Sequence, residues 1–421
     1  VDYNDQPSPQ DILECRAAAH APVADALVVV FTYGISLRTW QQTGGIMREL
    51  ALYTHLANHY GTIILCTYGG AEDREILHKE LPEEVSKSFQ IVSNEERVDT
   101  ATYAQRLPAL VRRALGPSKR VVVKTNQMAG GHIAARIVQH LRSWGLTTAL
   151  VARGGYLWSR MSAYEHGPSS KQACDAAAIE SELCANADMV VGTTSEMLED
   201  LQWRYMIQRD RTRLIPNYVL VDEEAPERER LPGLLLYAGQ LVKRKRVDVL
   251  IDAVAELDPE LRSQLTLEII GDGPELESLA AQAAQRNAPV VFRGRLPHAA
   301  LLERMKECAL YLQASEMEGH PKTVLEAMGC GAPVIVASSP GLAQVVQHGV
   351  TGLRIQLTSD SFARAITELM ADSDWRSIMS TGGIRCVRSS LSLDDIVPKE
   401  LESHRAAMVI TQATPRLKMS M

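Results

Sequence analysis

Two glutamates, Glu318 and Glu326, bracket the stretch with the most chemical content, E-G-H-P-K-T-V-L-E-A-M-G-C-G over residues 318–331. Val324, Leu325, Ala327 and Met328 are apolar in a pattern that predicts a short buried helix. Pro321 suits its first turn, where a missing N–H has no partner to lose. The helix then begins with free backbone N–H groups at His320, Lys322 and Thr323, an anion site to which Lys322 adds a formal charge. Glu318 and Gly319 precede the helix and Glu326 lies inside it, so one ligand lying across this end meets both carboxylates. Carboxylates accept hydrogen bonds from hydroxyls. The set therefore fits a molecule carrying both sugar hydroxyls and phosphates. Taken alone, the spacing is more often that of a buried helix with two solvated glutamates.

Other candidates sit where strands give way to helices. Lys243-Arg244-Lys245-Arg246 separates a predicted strand at 234–238 from a predicted helix at 247–257. Elsewhere such a run is a solvated surface; at this junction it is placed to meet diphosphate. Gly44-Gly45 precede a predicted helix over 46–58, which makes them either a simple turn or a close approach of backbone to a phosphate. Gly271-Asp272-Gly273-Pro274 follows a strand but lacks the third glycine of a dinucleotide fingerprint, and reads as a tight turn.

The elements that must position these residues alternate. Predicted strands at 24–32, 62–67, 89–92, 121–124, 148–152 and 189–193 are interleaved with helix patterns at 46–58, 103–114, 131–142, 171–185 and 195–205; residues 33–45 read as a loop. The second half continues with strands at 234–238, 267–271, 290–292, 310–313 and 333–337, then helices at 361–370, 374–379 and 398–408. This alternation predicts an α/β protein with parallel sheets, whose ligands sit beyond the carboxyl ends of the strands. Two such ends in the first half carry polar residues, Lys124-Thr125-Asn126-Gln127 and Arg153-Gly154-Gly155-Tyr156. Asn126, Gln127 and Tyr156 are candidates for contacting a second substrate. The charged, proline-bearing run 222–232 reads as a linker. The division is then a first domain over 1–221, a second over 233–395, and a final segment over 396–421. The first ten and last dozen residues read as loose.

Residues 234–355 add an ordered set of motifs: L-Y-A-G-Q-L-V-K-R-K-R-V-D-V-L-I-D-A-V, L-E-I-I-G-D-G-P-E, V-V-F-R-G-R-L, then G-A-P-V-I-V-A-S and G-V-T-G-L. Together with the E-x7-E stretch they resemble the GT4-type retaining nucleotide-sugar glycosyltransferases (glycosyl transferases group 1). The resemblance implies the GT-B fold: two Rossmann-like, doubly wound parallel-sheet domains facing a cleft, with the last helix, over 398–408 in the segment 396–421, crossing back to the first domain. It implies transfer of a hexosyl or N-acetylhexosaminyl group from a UDP- or GDP-sugar to a hydroxyl of a glycan, a lipid-linked glycan or a small molecule, with retention and with no metal or other cofactor. It assigns a catalytic, phosphate-binding role to Lys245 and contact with the transferred sugar to Glu318. It assigns the ribose to Glu326, the nucleobase surroundings to Arg295, and the donor-facing loop to Gly44 and Gly45. Where the family has an arginine after the strand-ending glycine, this chain has Gln240. Where many members have a histidine near the second polar strand end, it has Arg153, which pairs with a phosphate or an acceptor carboxylate, or forms a structural salt bridge. Ile215-Pro216-Asn217-Tyr218-Val219 is similar to the P-N-G-V-D segment that closes the first domain, with Tyr218 for the glycine. A nucleotide-sugar epimerase, or a GT-B protein that binds a nucleotide sugar without turnover, is the alternative.

Composition narrows the partners. Charged residues are 23% of 421, apolar residues 46%, and the net charge is −7, which argues against nucleic acid. Seven cysteines, an odd number with no CxxC pair, indicate free thiols in a reducing cytoplasm rather than a disulfide framework or a metal site. Residues 1–24 lack the order of a signal peptide, and no apolar run approaches a membrane span. The expected location is cytoplasmic, with peripheral contact at the inner membrane face left open.

Overall fold

In the computed structural model, which describes residues 22–220 and 230–413, the strands form two parallel sheets. The first contains β1 (Ala24–Val30), β2 (Tyr60–Cys66), β3 (Phe89–Val92), β4 (Arg120–Thr125), β5 (Thr147–Arg153), β6 (Met189–Gly192) and β7 (Thr212–Leu214), in the order β3-β2-β1-β4-β5-β6-β7. The second contains β8 (Leu231–Ala238), β9 (Thr266–Ile270), β10 (Val290–Gly294), β11 (Cys308–Gln313), β12 (Val334–Ala337) and β13 (Leu353–Ile355), in the order β10-β9-β8-β11-β12-β13. Each order reverses once, between β1 and β4 and between β8 and β11. Crevices open at such switch points.

Apolar runs in sequence become strands buried on both faces. In β1, Ala26 and Val28 join one core cluster while Leu27 and Val29 join another, as successive side chains alternate across the sheet. Register follows, with Val28 opposite Val123 in β4 and Leu236 of β8 opposite Tyr311 of β11.

Several elements differ from the sequence reading. A helix, Leu37–Gln42, stands inside the expected loop 33–45. Its N-cap Ser36 accepts from the Thr39 N–H, and Asp73 accepts from the N–H groups of Leu37 and Arg38, both at 3.2 Å. The anchoring carboxylate is distant in sequence, so local pattern does not reveal the helix. Helices Glu72–Glu80 and Trp158–His166 and edge strand β7 also went unread. Strand β8 begins at Leu231, inside the expected linker; the rest of that linker, 222–229, lies outside the described residues, as do the first ten residues. Pro321 caps the helix Lys322–Gly329 rather than entering its first turn.

The last described helix, Leu393–Ala413, is longer than the expected 398–408 and takes in the first residues of the expected loose end, the remainder of which lies outside the described residues. It follows the second-domain helix Ser373–Ser390, yet its Ile396, Leu401, Ala407 and Met408 belong to the core of the first domain.

Candidate functional site: a cleft between the two sheets

On the second-domain side, the loops leaving β8 and β11 flank the switch point. The β8 loop becomes a 3-10 turn, Lys243–Lys245, and the β11 loop carries Glu318. Lys245 Nζ lies 2.5 Å from Glu318 Oε1, and Arg244 Nη1 lies 3.2 Å from Oε2. Gln313 also donates to Oε1, at 3.4 Å. Burial pushes the Glu318 carboxyl up, but the charges of Lys245 and Arg244 outweigh it and hold the group below the usual carboxylate range. Arg246 turns away, to Asp248 and to Glu316 at 2.8 Å. Within the four-residue basic run, Arg244 and Lys245 therefore serve Glu318 while Arg246 serves its own surroundings.

Eight residues on, Glu326 faces a different set of partners. Its side chain is 1% exposed. Oε1 accepts from Arg48 Nη1 at 3.0 Å and from His298 Nε2 at 2.9 Å, while Oε2 has no partner among the described residues. Burial raises this carboxyl; the His298 hydrogen bond and the Arg48 charge bring it below the usual range. Arg48 belongs to the first domain, in the helix Ile46–Leu56 that follows Gly44-Gly45. The next residue, Glu49, meets Lys322 at 2.5 Å. Burial opposes the Glu49 charge, but Lys322 and Arg48 hold its carboxyl at about 2. Lys322 and Glu326 are four apart and so share one helical face. Two ion pairs thus cross between the domains in parallel.

The glycines permit this approach. Gly44 has φ +73°, and a Cβ there would lie 3.2 Å from the carbonyl oxygen of Leu296, so the glycine loop rests on the 296–298 segment. At Gly319 a Cβ would lie 2.1 Å from the carbonyl oxygen of Gly155 in the first domain.

His320 is held from the first domain as well. Its Nδ1 accepts the Asn217 N–H at 3.2 Å and its carbonyl accepts the Asn217 side-chain amide at 2.8 Å. Burial, with Arg153 and Lys322 nearby, pushes the imidazole down to about 3. The ring is neutral with its proton on Nε2. Arg153 turns into the first domain: it donates to Ile215 O and Asn217 Oδ1 and pairs with Glu400 Oε1 at 3.4 Å. Glu400, from the last helix, also takes Lys124 at 2.8 Å, and both of those side chains are fully buried. His404, on the same helix, lies 3.4 Å from Glu400 and shares a 2.8 Å hydrogen bond with Tyr60.

The remaining candidates scatter. Asn126 accepts from Tyr53, and Gln127 accepts from the Gly155 N–H at 2.7 Å. Tyr156 lines a cleft of about 430 Å³ with Arg160, Met161, Glu196, Glu318 and Gln344. Glu196 is bonded by Arg160 at 3.0 Å and, from across the cleft, by Gln344. Thr323 lies in the first turn of its helix. Gln240 is exposed after β8, and Arg295, 51% exposed, pairs with Asp272 at 3.4 Å; among the described residues neither bonds to the Glu318 or Glu326 clusters. Arg48, Glu49, His298 and Glu400 were not read from sequence. The one available signal was that Arg48 and Glu49 follow Gly44-Gly45 into a helix. Among the described residues no group of three or more His, Cys, Asp or Glu is placed to hold a metal, and no helix is long and apolar enough to cross a membrane.

Two acidic side chains on basic partners thus stand beside a helix start at a doubly wound switch point. Residues 222–385 match the family model of the glycosyl transferases group 1. A D-inositol 3-phosphate glycosyltransferase of Stackebrandtia nassauensis is 30% identical over 227 residues, which are 49% of this chain and 51% of that protein. An N-acetyl-alpha-D-glucosaminyl L-malate synthase of Bacillus anthracis is 32% identical over 151 residues, 35% of this chain and 36% of the other. The chain spans about half the length of the first of these curated relatives. Anabaena HepE, solved in complex with UDP and glucose, superposes with a TM-score of 0.70 at 17% identity, over 90% of this chain and 98% of its own. The architecture is therefore GT-B, with the glycosyl transferases group 1 match confined to the second domain and its approach.

Proposed function

We propose that the protein is a retaining glycosyltransferase that moves a hexosyl or N-acetylhexosaminyl group from a UDP- or GDP-sugar to an acceptor hydroxyl without a divalent metal. The observation that carries this reading is the placement of Lys245 and Arg244 on Glu318, beside the start of the helix that bears Glu326. Sugar transfer passes through an oxocarbenium-like transition state, here with negative charge growing on the leaving diphosphate. Fixed positive groups aimed at that charge lower the barrier without reorganising. Lys245, Arg244 and the N–H groups at the start of the Lys322 helix supply them. Glu318 orients Lys245 and accepts hydroxyls of the transferred sugar; Glu326 accepts the ribose hydroxyls.

The acceptor hydroxyl, from a glycan, lipid-linked glycan or small molecule, enters beside Tyr156, in the cleft that also reaches Glu318. Arg153 supports the site through Asn217 and His320. Incubation with a panel of UDP- and GDP-sugars, with and without sugar, polyol and lipid-linked acceptors, tests the reading. Turnover that requires an acceptor supports transfer. Acceptor-free isomerisation indicates an epimerase, and binding without turnover indicates a non-catalytic protein.

A further inference from the structure

Glu326 is gripped on one oxygen only. Arg48, from the first domain, and His298, from the second, both bond Oε1, and the buried Oε2 is left without a protein partner among the described residues. A buried carboxylate oxygen with no donor is costly unless a ligand supplies one. We infer that Arg48 is a positioning residue for ribose recognition: it locks Oε1 so that Oε2 faces the nucleotide's hydroxyls, and it does so only when the two domains have closed. The inference rests on the glycosyltransferase reading of this cleft.

The surroundings fix Arg48 for this purpose. The Tyr218 hydroxyl donates to the Arg48 carbonyl, and the Gly44 loop rests on the Leu296–His298 backbone. Glu49, one residue on, holds Lys322, one helical turn before Glu326. The first turn of the Ile46 helix therefore meets the Lys322 helix through two charge pairs of opposite polarity. Separating the domains removes Arg48 from Glu326 and leaves His298, its second-domain partner, as the remaining grip on Oε1. Ribose recognition and domain closure become one event, and a nucleotide that offers no ribose hydroxyls gains nothing from Arg48.

Calorimetric titration of the full chain with UDP, GDP and their 2′,3′-dideoxy analogues tests this. Wild-type protein is expected to bind the ribonucleotide of its donor about tenfold or more tightly than the dideoxy form, since a hydrogen bond to a charged group is at stake. Arg48→Met should erase most of that preference, weakening the ribonucleotide while leaving the dideoxy analogue within about twofold, and Arg48→Lys should restore part of it. A merely structural ion pair would instead lower both affinities together, or lower only the melting temperature. Equal loss for both ligands, or an unchanged preference, overturns the inference while the nucleotide-sugar reading stands. Wild-type protein that binds neither UDP nor GDP overturns both. Should Arg48→Met fail to fold, as judged by circular dichroism, Arg48→Gln is read by the same criterion.

Discussion

The two glutamates of one motif sit in contrasting surroundings. Glu318 draws both cationic partners, Lys245 and Arg244, from its own domain. Glu326 draws one partner from its own domain and one, Arg48, from across the cleft. The first carboxylate is assembled by the local fold of the second domain. The second is complete only in the presence of the first domain. A motif that reads as one unit in sequence is thus two arrangements: a charge cluster built at the switch point of one domain and, in the proposed reading, a ribose-binding carboxylate held from both domains.

The contrast is broken most forcefully at Lys245. If it stabilises the leaving diphosphate, Lys245→Ala lowers kcat/KM by about 100-fold or more, the scale of losing a preorganised electrostatic donor. A variant within about threefold of wild type would transfer the role to Arg244.

Acid should act on the interdomain side. Glu49 has a folded carboxyl at about 2 against an ordinary 4.5, so its stabilising charge is fully present above about 4.5 and is lost as pH falls toward 2. His320 is held down at about 3 against 6.5. Between those values the unfolded chain takes up a proton that the folded chain refuses, so stability is lost as pH falls through that window. The melting temperature should therefore fall progressively below pH 6.5. His320→Asn should flatten the upper part of the decline and Glu49→Gln the lower part, below pH 4.5. Thermal melts at half-unit pH steps decide it; identical profiles for wild type and both variants would contradict it.

The smallest expected effect is none. If Lys245, Arg244 and the helix start meet the diphosphate's charge, turnover should survive EDTA unchanged. Activity abolished by the chelator and restored by magnesium or manganese would overturn the proposed metal independence.

The second domain was the more legible in sequence because its functional groups lie on short connections after strands: Lys245 follows β8 and Glu318 follows β11, each within about seven residues of the strand end. Sheet order could be inferred only as parallel, because crossover connections do not reveal which strand lies beside which. The partners of Glu326 were invisible for a different reason. Arg48 is 278 residues away from it, and nothing local in I-M-R-E-L marks which of its charges crosses a cleft. Arg153 reads in sequence as pairing with a phosphate, with an acceptor carboxylate or in a structural salt bridge; its partner Glu400 lies on the helix expected to cross back to the first domain, but nothing local marks which charge of that helix meets Arg153. The helix Leu37–Gln42 depends on Asp73, and so was hidden in a stretch read as loop.

Separating the two glutamates by ligand tests the division of roles most directly. Free UDP or GDP contains the ribose but not the transferred sugar. Hydrogen bonds to a charged group contribute about 1.5–3 kcal/mol each. Calorimetry with free nucleotide should therefore show Glu326→Ala weakened by about tenfold or more, and Glu318→Ala nearly unchanged although its turnover collapses. Equal loss of nucleotide affinity in both variants, or no loss in either, would contradict the account of this cleft.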